Sequence, residues 1–398
     1  MEQQNTITAA DMDAAAMALQ GARYVRVNDR YYEYAYNPNT NSYCWIARDK
    51  KELKQDGVSV TSIKQYNGWT VRHNFTGNYE KVIHNYLNLS LPLQHHPKRG
   101  DWVTIEKLLR HIFGEQYEIG LDYYTLLIRN PEQMLPILTL VSQQRGTGKS
   151  TLLNFNNWLF GANSIIMTVG EYRQPFNSLF ATKLLIQIDE TAISESFVKE
   201  QLKKDSTAKT IQMRRMRCEH ETLPFYGKFI MATNSETSFM NIESDEIRFW
   251  VRKVPVIADG YNPLFEGQLK KEIPAFLNYI QNEHTLTVNE AQSRMWFSPE
   301  QIHTDALDRV IENSISDLAK EINLMLLEMA DERGLHNICM TATDVKNWLN
   351  SKYSRVDIST ALDELKLERK TGRYTHAMAS IEGVPKQCNG NYWCWNKG

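Results

Sequence analysis

The segment Arg145-Gly-Thr-Gly-Lys-Ser-Thr151 has the residue types of a phosphate-binding loop. It follows the apolar run Ile137–Val141, which predicts a short buried strand, and it precedes apolar residues at helical spacing. Glycines let successive backbone N–H groups turn toward phosphate oxygens, and a helix N-terminus adds positive potential. The predicted nucleotide-binding residues are Gly146, Thr147, Gly148, Lys149, Ser150 and Thr151. Of these, Lys149 is expected on the β- and γ-phosphates and the Ser150 hydroxyl on Mg²⁺.

The loop departs from the usual Gly-x-x-x-x-Gly-Lys-Ser pattern at its first position, where Gln143 replaces glycine. The motif therefore depends on Gly146 and Gly148. A chance Gly-Lys-Ser turn is the alternative. The position between a predicted strand and a predicted helix favours phosphate binding.

A second apolar run, Leu184-Leu-Ile-Gln-Ile-Asp-Glu190, ends in two carboxylates. A nucleotide site needs one carboxylate for the metal and one group that orients the attacking water. Asp189 is predicted to complete the Mg²⁺ shell and Glu190 to position or deprotonate the water. An apolar run that ends in Asp-Glu is often only a strand before a solvated loop, but here it lies downstream of a phosphate-binding loop.

A third run, Lys228-Phe-Ile-Met-Ala-Thr-Asn234, ends in a polar amide. Because parallel strands end at one edge of their sheet, Asn234 is predicted to contact the γ-phosphate or the attacking water. The alternative is that Asn234 only caps a turn. The two preceding motifs favour the catalytic interpretation.

The composition of the 398 residues, with 42% hydrophobic and 23% charged residues, is that of a globular protein. No apolar run approaches the roughly 18 residues of a membrane span, and the start lacks the basic region of a secretory signal, so we expect a cytoplasmic protein without membrane contact. A net charge of −2 excludes a globally basic coat protein, so any DNA contact must be local. The five cysteines have no zinc spacing, and Cys388 and Cys394 are interpreted as buried thiols.

Several elements must position these residues. Residues 24–69 are aromatic and β-branched, which predicts a small β-rich module. Helices are predicted between residues 82 and 130, where one apolar face contains Ile105, Leu108, Leu109 and Ile112. The alternation of strands and helices that follows, with further strands at 165–169, 184–188 and 229–233, predicts an α/β core with a mainly parallel sheet.

The three motifs, in this order and close together, resemble the A, B and C motifs of superfamily III helicases. The likeness is greatest to the helicase part of phage and poxvirus-type primase–helicases, and it covers residues 79–256 well, including Pro97-Lys-Arg-Gly-Asp101 ahead of a helix. The resemblance implies an AAA+-like P-loop core, assembly into a ring that is usually a hexamer, and movement along single strands, typically 3′ to 5′.

These helicases have a further DNA-contacting element between the second and third motifs, and residues 203–217 match its position. The stretch has a local charge of +5, because it contains six basic residues and one acidic residue, Asp205. Basic side chains along a channel neutralise phosphates without reading sequence. The predicted DNA-binding residues are Lys203, Lys204, Lys209, Arg214, Arg215 and Arg217. The alternative is a solvated basic hairpin without a partner.

Ring ATPases commonly complete each site with an arginine from the neighbouring subunit. The resemblance places this arginine shortly after the third motif, where Glu246-Ile-Arg-Phe-Trp250 contains Arg248. Arg248 is therefore the candidate, with Arg252 as the second choice. The alternative is a strand arginine paired with Glu246 or Asp245.

The last hundred residues predict a helix with inward residues from Ile311 to Met329, a second helix capped by Thr343, and a third from Asp357. Strands around 375–381 and 391–395 follow, and the whole predicts a winged-helix-like domain. The third helix and a turn with Arg369, Lys370 and Arg373 are candidates for duplex DNA contact, and protein contact is an equal alternative.

The sequence thus predicts four domains: a β-containing module (1–78), a helical collar (79–133), a P-loop AAA+-like core (134–300) and a winged-helix-like domain (301–398). The expected function is an ATP- and Mg²⁺-dependent DNA helicase or translocase on single-stranded DNA, acting as a homo-oligomeric ring, with a separate primase or polymerase as a possible partner. Two alternatives are an AAA+ replication initiator or loader without processive unwinding and a DNA-binding regulator with a degenerate nucleotide fold.

Overall fold

A computed structural model describes residues 23–37, 42–189, 196–214, 220–237, 239–240, 242, 246–257, 262–314, 316–349, 353–376 and 386–396. The chain divides into two compact units. The first comprises Met1–Phe239 and Asp245–Leu307, and the second comprises Met240–Ser244 and Asp308–Gly398. No helix in the described ranges combines the length and the apolar character that crossing a membrane requires.

The first unit begins with a four-stranded sheet in the order β3-β2-β1-β4. Its elements are β1 (Tyr24–Val27), β2 (Arg30–Asn37), β3 (Ser42–Arg48), α1 (Lys50–Gln55) and β4 (Gln65–Tyr66). Val25 and Val27 point to the buried side, as the alternation of apolar residues predicts. The β-rich character of this region is confirmed.

Three short strands follow, β5 (Gly68–Thr70), β6 (Val82–Ile83) and β7 (Tyr86–Asn88), in the order β5-β7-β6. The sequence interpretation missed the last two and assigned residue 82 onward to helices. Strands of two or three residues are too short to show a hydrophobic period.

Two helices, α2 (Val103–Phe113) and α3 (Tyr117–Arg129), precede the central sheet. All four residues of the predicted apolar face of α2 are buried, in one cluster with residues of the central sheet and of later helices. Burial of such a face, at about 1.5–3 kcal/mol for each large aliphatic side chain, holds α2 against the core.

The central sheet contains five strands, all parallel, in the order β14-β8-β13-β10-β9. Its elements along the chain are β8 (Ile137–Val141), α4 (Lys149–Phe160), β9 (Ser164–Met167), α5 (Val169–Tyr172), β10 (Leu185–Asp189), α6 (Ser196–Asp205), β13 (Lys228–Thr233) and β14 (Phe249–Lys253). The predicted α/β core with a parallel sheet is confirmed.

One strand boundary differs from the prediction. β9 ends at Met167 instead of Val169, because Thr168 caps α5 in a reciprocal pair of hydrogen bonds with Glu171. A separate antiparallel hairpin, β11 (Thr210–Met213) and β12 (Glu221–Pro224), lies between α6 and β13.

After the sheet, α7 (Phe265–Asn278) continues into a π-helical turn (Tyr279–Glu283), and α8 (Pro299–Ile302) follows. The buried carboxylate of Asp122 on α3 is bonded by His284 Nε2 at 2.7 Å and by the Thr287 backbone N–H at 3.0 Å. This buried polar contact fixes the turn after α7 against α3.

Helix α9 (Asp305–Ser314) spans the boundary between the units. The second unit then contains α10 (Asp317–Arg333), β15 (Asn337–Met340), α11 (Ala342–Trp348), α12 (Arg355–Glu364), β16 (Glu368–His376) and β17 (Lys386–Asn396). Its antiparallel sheet has the order β15-β17-β16.

Several predictions for this region were wrong in detail. The single helix across residues 311–329 is two helices, because Ser316 caps a new one. The cap of α11 is Thr341, bonded to Asp344, and not Thr343. Helix α12 begins at Arg355 and not at Asp357, because Ser354 caps it in a reciprocal pair of hydrogen bonds with Asp357.

The prediction of a buried thiol was also wrong for Cys394. β15, which the sequence interpretation missed, places Cys339 directly opposite Cys394 on β17, and the two form a disulfide. Cross-strand pairing, invisible from sequence spacing, brings the two sulfurs together.

Candidate nucleotide site and basic hairpin

The phosphate-binding loop adopts a conformation that needs its two glycines. Gly146 has φ 70° and Gly148 has φ 86°, in the left-handed region that side chains with a Cβ disfavour. Gly148 is the N-cap of α4, and none of the described side chains caps that helix. The N–H groups of its first turn therefore point to a position that an anion can occupy.

Neighbouring elements hold this loop in place. His111 on α2 lies with Nε2 3.0 Å from the Thr147 carbonyl oxygen, and the Ile257 N–H donates to the Gly146 carbonyl at 3.2 Å. The helix that the sequence predicted ahead of the core thus contacts the loop directly.

A cavity of about 440 Å³ opens at this loop. Its lining consists of Arg145, Gly146, Thr147, Gly148, Lys149, Ser150, Thr151, Asp189, Ala232, Thr233 and Asn234. Because β13 lies between β8 and β10, the carboxyl ends of the three strands place the loop, Asn234 and Asp189 side by side. The described residues predicted for nucleotide and metal binding all meet here, whereas Glu190 lies outside the described residues.

Lys149 is buried, with Nζ 3.2 Å from Thr147 Oγ1 and 3.4 Å from the Ser142 carbonyl oxygen. Burial lowers the pKa of Lys149 from its ordinary value, and the negative charges of Asp189 and Glu236 partly offset this. The protein thus holds a desolvated lysine beside polar groups, which is costly without an anionic ligand.

Glu236 and Lys253 were missed by the sequence analysis. Glu236 accepts the Gln143 N–H at 3.2 Å and pairs with Lys253 at 2.8 Å. The register of β14 places Lys253 beside Val141, at the start of the loop. No motif identifies this pair, because only strand pairing brings residue 253 next to residue 141.

The basic stretch spans two structural parts, the end of α6 and the hairpin that begins with β11. Lys209 and Arg214 are exposed at the ends of β11, and Lys204 is exposed near the end of α6. Arg215 and Arg217 lie outside the described residues. Lys203 differs, because its side chain is only 8% exposed and its Nζ lies 3.2 Å from Glu246. The Lys203 ammonium group is therefore turned inward in this structure, and its contact with DNA stays a prediction.

The segment between α5 and β10 also contacts the hairpin and was missed. Asn177 Nδ2 donates to the Gln212 carbonyl at 2.9 Å, and Asn177 Oδ1 accepts the Arg214 N–H at 2.8 Å. Phe176 beside it is 45% exposed, and Arg173 is also exposed. The sequence signal that was overlooked is the short spacing between a basic residue, Arg173, and an aromatic one, Phe176.

The two arginine candidates lie in different environments. Arg248 directly precedes β14, and its backbone carbonyl accepts the Ile137 N–H at 2.7 Å, at the amino end of the sheet. The length of β8, about 13 Å, separates this edge from the loop of the same chain. Arg252 is buried and bonds Glu115 and Gln116 of its own chain. Arg248 is also paired within the subunit, with Nε 2.7 Å from Glu246 Oε1, as the alternative interpretation predicted, but 27% of its side chain stays exposed.

In the second unit, Arg369, Lys370 and Arg373 lie on β16 and not in a turn as predicted. The guanidinium of Arg369 lies 5.0 Å from the Trp393 ring centre, and Lys370 pairs with Glu368 at 2.8 Å.

Residues 140–252, which include the loop, Asp189, the hairpin and Asn234, match a family of unknown function (DUF5906). The apo structure of the NrS-1 C terminal region (305-718) has a TM-score of 0.66 at 15% identity, covering 94% of this chain and 96% of that chain.

Two A-form apo structures of the same NrS-1 region have TM-scores of 0.63, at 14% and 16% identity. They cover 96% and 93% of this chain, and 98% and 94% of those chains. No curated protein sequence matches the chain. The chain shares the fold of the NrS-1 C terminal region.

Proposed function

We propose that this chain is an ATP-driven helicase or translocase that moves single-stranded DNA. The observation that carries the proposal is the cavity in which the loop, Asp189 and Asn234 meet at one edge of a parallel sheet. The basic hairpin, which is joined by a short segment to β13, supports DNA as the second ligand.

In this proposal the loop N–H groups and Lys149 bind the phosphates of ATP. Ser150 and Asp189 offer a hydroxyl and a carboxylate to the same cavity, and such oxygen donors suit Mg²⁺. The ion would neutralise phosphate charge. Glu190, by its place in the sequence, would position the attacking water, and Asn234 would contact the γ-phosphate.

The DNA contact is assigned to exposed groups only. Lys204, Lys209 and Arg214 would neutralise backbone phosphates. Phe176 would offer a ring against which a base can stack, since every base has a π-face. Neither contact reads a base edge, which is what a motor moving along any sequence requires.

The position of Arg248 supports a ring. Its chain's own nucleotide site lies at the opposite edge of the sheet, so Arg248 can complete a site only in a neighbouring subunit. We infer a homo-oligomeric ring, with the hexamer implied by the family resemblance. Helices α2 and α3 would act as its collar and the second unit as a winged-helix-like domain.

The test is ATP turnover, with and without single-stranded DNA. We expect DNA to raise the turnover rate of the parental protein, Lys149→Met to abolish it, and a Lys209→Ser/Arg214→Ser protein to lose the stimulation. DNA-stimulated turnover without strand separation would instead indicate an initiator or loader. Absence of turnover would overturn the proposal in favour of a DNA-binding regulator.

A further inference from the structure

A cluster of three charged residues lies at the amino end of β14, away from the nucleotide cavity. The side chain of Glu246 is 5% exposed, and each of its two carboxylate oxygens contacts one cation. Its Oε1 lies 2.7 Å from Arg248 Nε, and its Oε2 lies 3.2 Å from Lys203 Nζ. Arg248 also donates from Nη1 to the Lys203 carbonyl at 3.4 Å.

The cluster sits where two chain segments meet. Lys203 lies two residues before the end of α6, and the chain continues from there to the basic hairpin. The hairpin is closed at its base by a bond from the Phe225 N–H to the Lys209 carbonyl at 2.9 Å. Arg248 leads directly into β14. A shift of the hairpin that moves the end of α6 must therefore act on the partners of Arg248.

The end of α6 is tied to α5. Asp205, two residues after Lys203, is buried and accepts from Tyr172 at 2.7 Å and from Gln201 at 2.9 Å. Tyr172 belongs to α5, immediately before the segment whose Asn177 holds the hairpin. The end of α6 and the hairpin therefore share one support, and motion of one is transmitted to the other.

The stability of such a cluster depends on whether every buried charge keeps a partner. Removing one partner of a buried pair leaves an uncompensated charge, whereas removing both can be neutral. Arg248 keeps 27% of its side chain exposed, so a fixed guanidinium still has an accessible side.

We propose that Lys203 and Glu246 are positioning residues that couple DNA bound at the hairpin to the placement of Arg248 for a neighbouring subunit. This inference rests on the proposed function, because it assigns the regulation of that same ATPase. Lys203 acts here through Glu246 and does not touch DNA, although its neighbour Lys204 does.

The adjacent lysines provide a matched pair of variants, Lys203→Met and Lys204→Met. For each, the affinity for a single-stranded oligonucleotide and the kcat and KM for ATP at saturating oligonucleotide would be measured. We expect Lys203→Met to keep its DNA affinity within twofold while its DNA-stimulated kcat falls at least fivefold at unchanged KM. Lys204→Met should weaken DNA binding and reduce the salt slope of binding by about 1.

Two further variants separate coupling from folding. Lys203→Arg should restore the stimulated kcat, because it keeps the charge that pairs with Glu246. Lys203→Met/Glu246→Met removes both buried partners and leaves only Arg248, whose side chain is 27% exposed and open to solvent, so it should fold. It should lack stimulation as Lys203→Met does.

Two results would overturn the inference. One is a loss of DNA affinity in Lys203→Met equal to that in Lys204→Met, which would make Lys203 a DNA ligand. The other is full DNA stimulation in the double variant. A parental protein without DNA-stimulated turnover would instead overturn the proposed function and this inference with it.

Discussion

Replacing Lys149 with methionine should show whether this lysine binds nucleotide or stabilises the fold. In the described structure its ammonium group makes two long contacts, at 3.2 and 3.4 Å, and burial lowers its pKa. Methionine keeps most of the apolar stem and removes a desolvated charge. We therefore expect the thermal midpoint of the free Lys149→Met protein to equal or exceed that of the parent.

The parent and Lys149→Met should differ in how far ATP with Mg²⁺ raises the thermal midpoint. A ligand at 100 times its Kd stabilises the folded state by about 2.7 kcal/mol. The first unit contains about 300 residues, and unfolding entropy is about 2.1 cal/mol/K per residue, so ATP with Mg²⁺ should raise its midpoint by about 4 °C. Lys149→Met should show no such rise.

The assay is a thermal unfolding scan with and without ATP and Mg²⁺, followed by ATP turnover on the same samples. Lys271→Met, at an exposed position on α7, serves as the control and should keep both the rise and the turnover. A rise of 4 °C that persists in Lys149→Met would refute the assignment of the cavity. A free Lys149→Met protein that unfolds several degrees lower would show that the lysine is structural.

Three further predictions concern charge, assembly and the disulfide. Burial lowers the pKa of Lys228 to about 7. Because the unfolded chain binds the Lys228 proton more tightly than the folded chain does, the free energy of unfolding should rise between pH 7 and 10 by about 1 kcal/mol per pH unit. Urea unfolding of Lys228→Met at several pH values should lack that part of the slope, and equal slopes would contradict it. Mixing Arg248→Ala with Lys149→Met subunits should restore part of the turnover that each lacks alone, because the proposal assigns Arg248 to a neighbour's site. A mixture as inactive as its two components would count against a ring. Cys339→Ser should lower the free energy of unfolding of the second unit by about 2–4 kcal/mol, since the bond to Cys394 closes a long loop, and unfolding curves unaffected by a reductant would refute this.

The central site was predictable because its residues follow buried strands. The runs that end at Val141, Asp189 and Thr233 are wholly or almost wholly buried, so their apolar continuity marks them as strands of a parallel sheet. Once three such strands are parallel, the residues that follow them lie at one edge. The chemistry of lysine, carboxylate and amide at that edge then follows from the sequence.

Contacts that arise only from strand pairing or helix ends were not predictable in this way. Lys203 lies in a basic run, and only the fold reveals that it turns inward to Glu246. The disulfide of Cys339 depends on β15, which has four residues and no distinctive pattern. The predicted helix starts, Thr343 and Asp357, lie one and two residues after the observed first residues, Ala342 and Arg355. The caps are Thr341 and Ser354, each in a reciprocal pair of hydrogen bonds with the aspartate three residues on.

The proposed helicase activity is tested by strand displacement on a forked DNA duplex with ATP and Mg²⁺, comparing the parental protein with Asp189→Asn. The substitution keeps the size of the side chain and removes the charge proposed to hold the metal. We expect displacement by the parent and none by Asp189→Asn. Displacement at the parental rate by Asp189→Asn would contradict this expectation, as would a parent that hydrolyses ATP in the presence of DNA and leaves the fork intact.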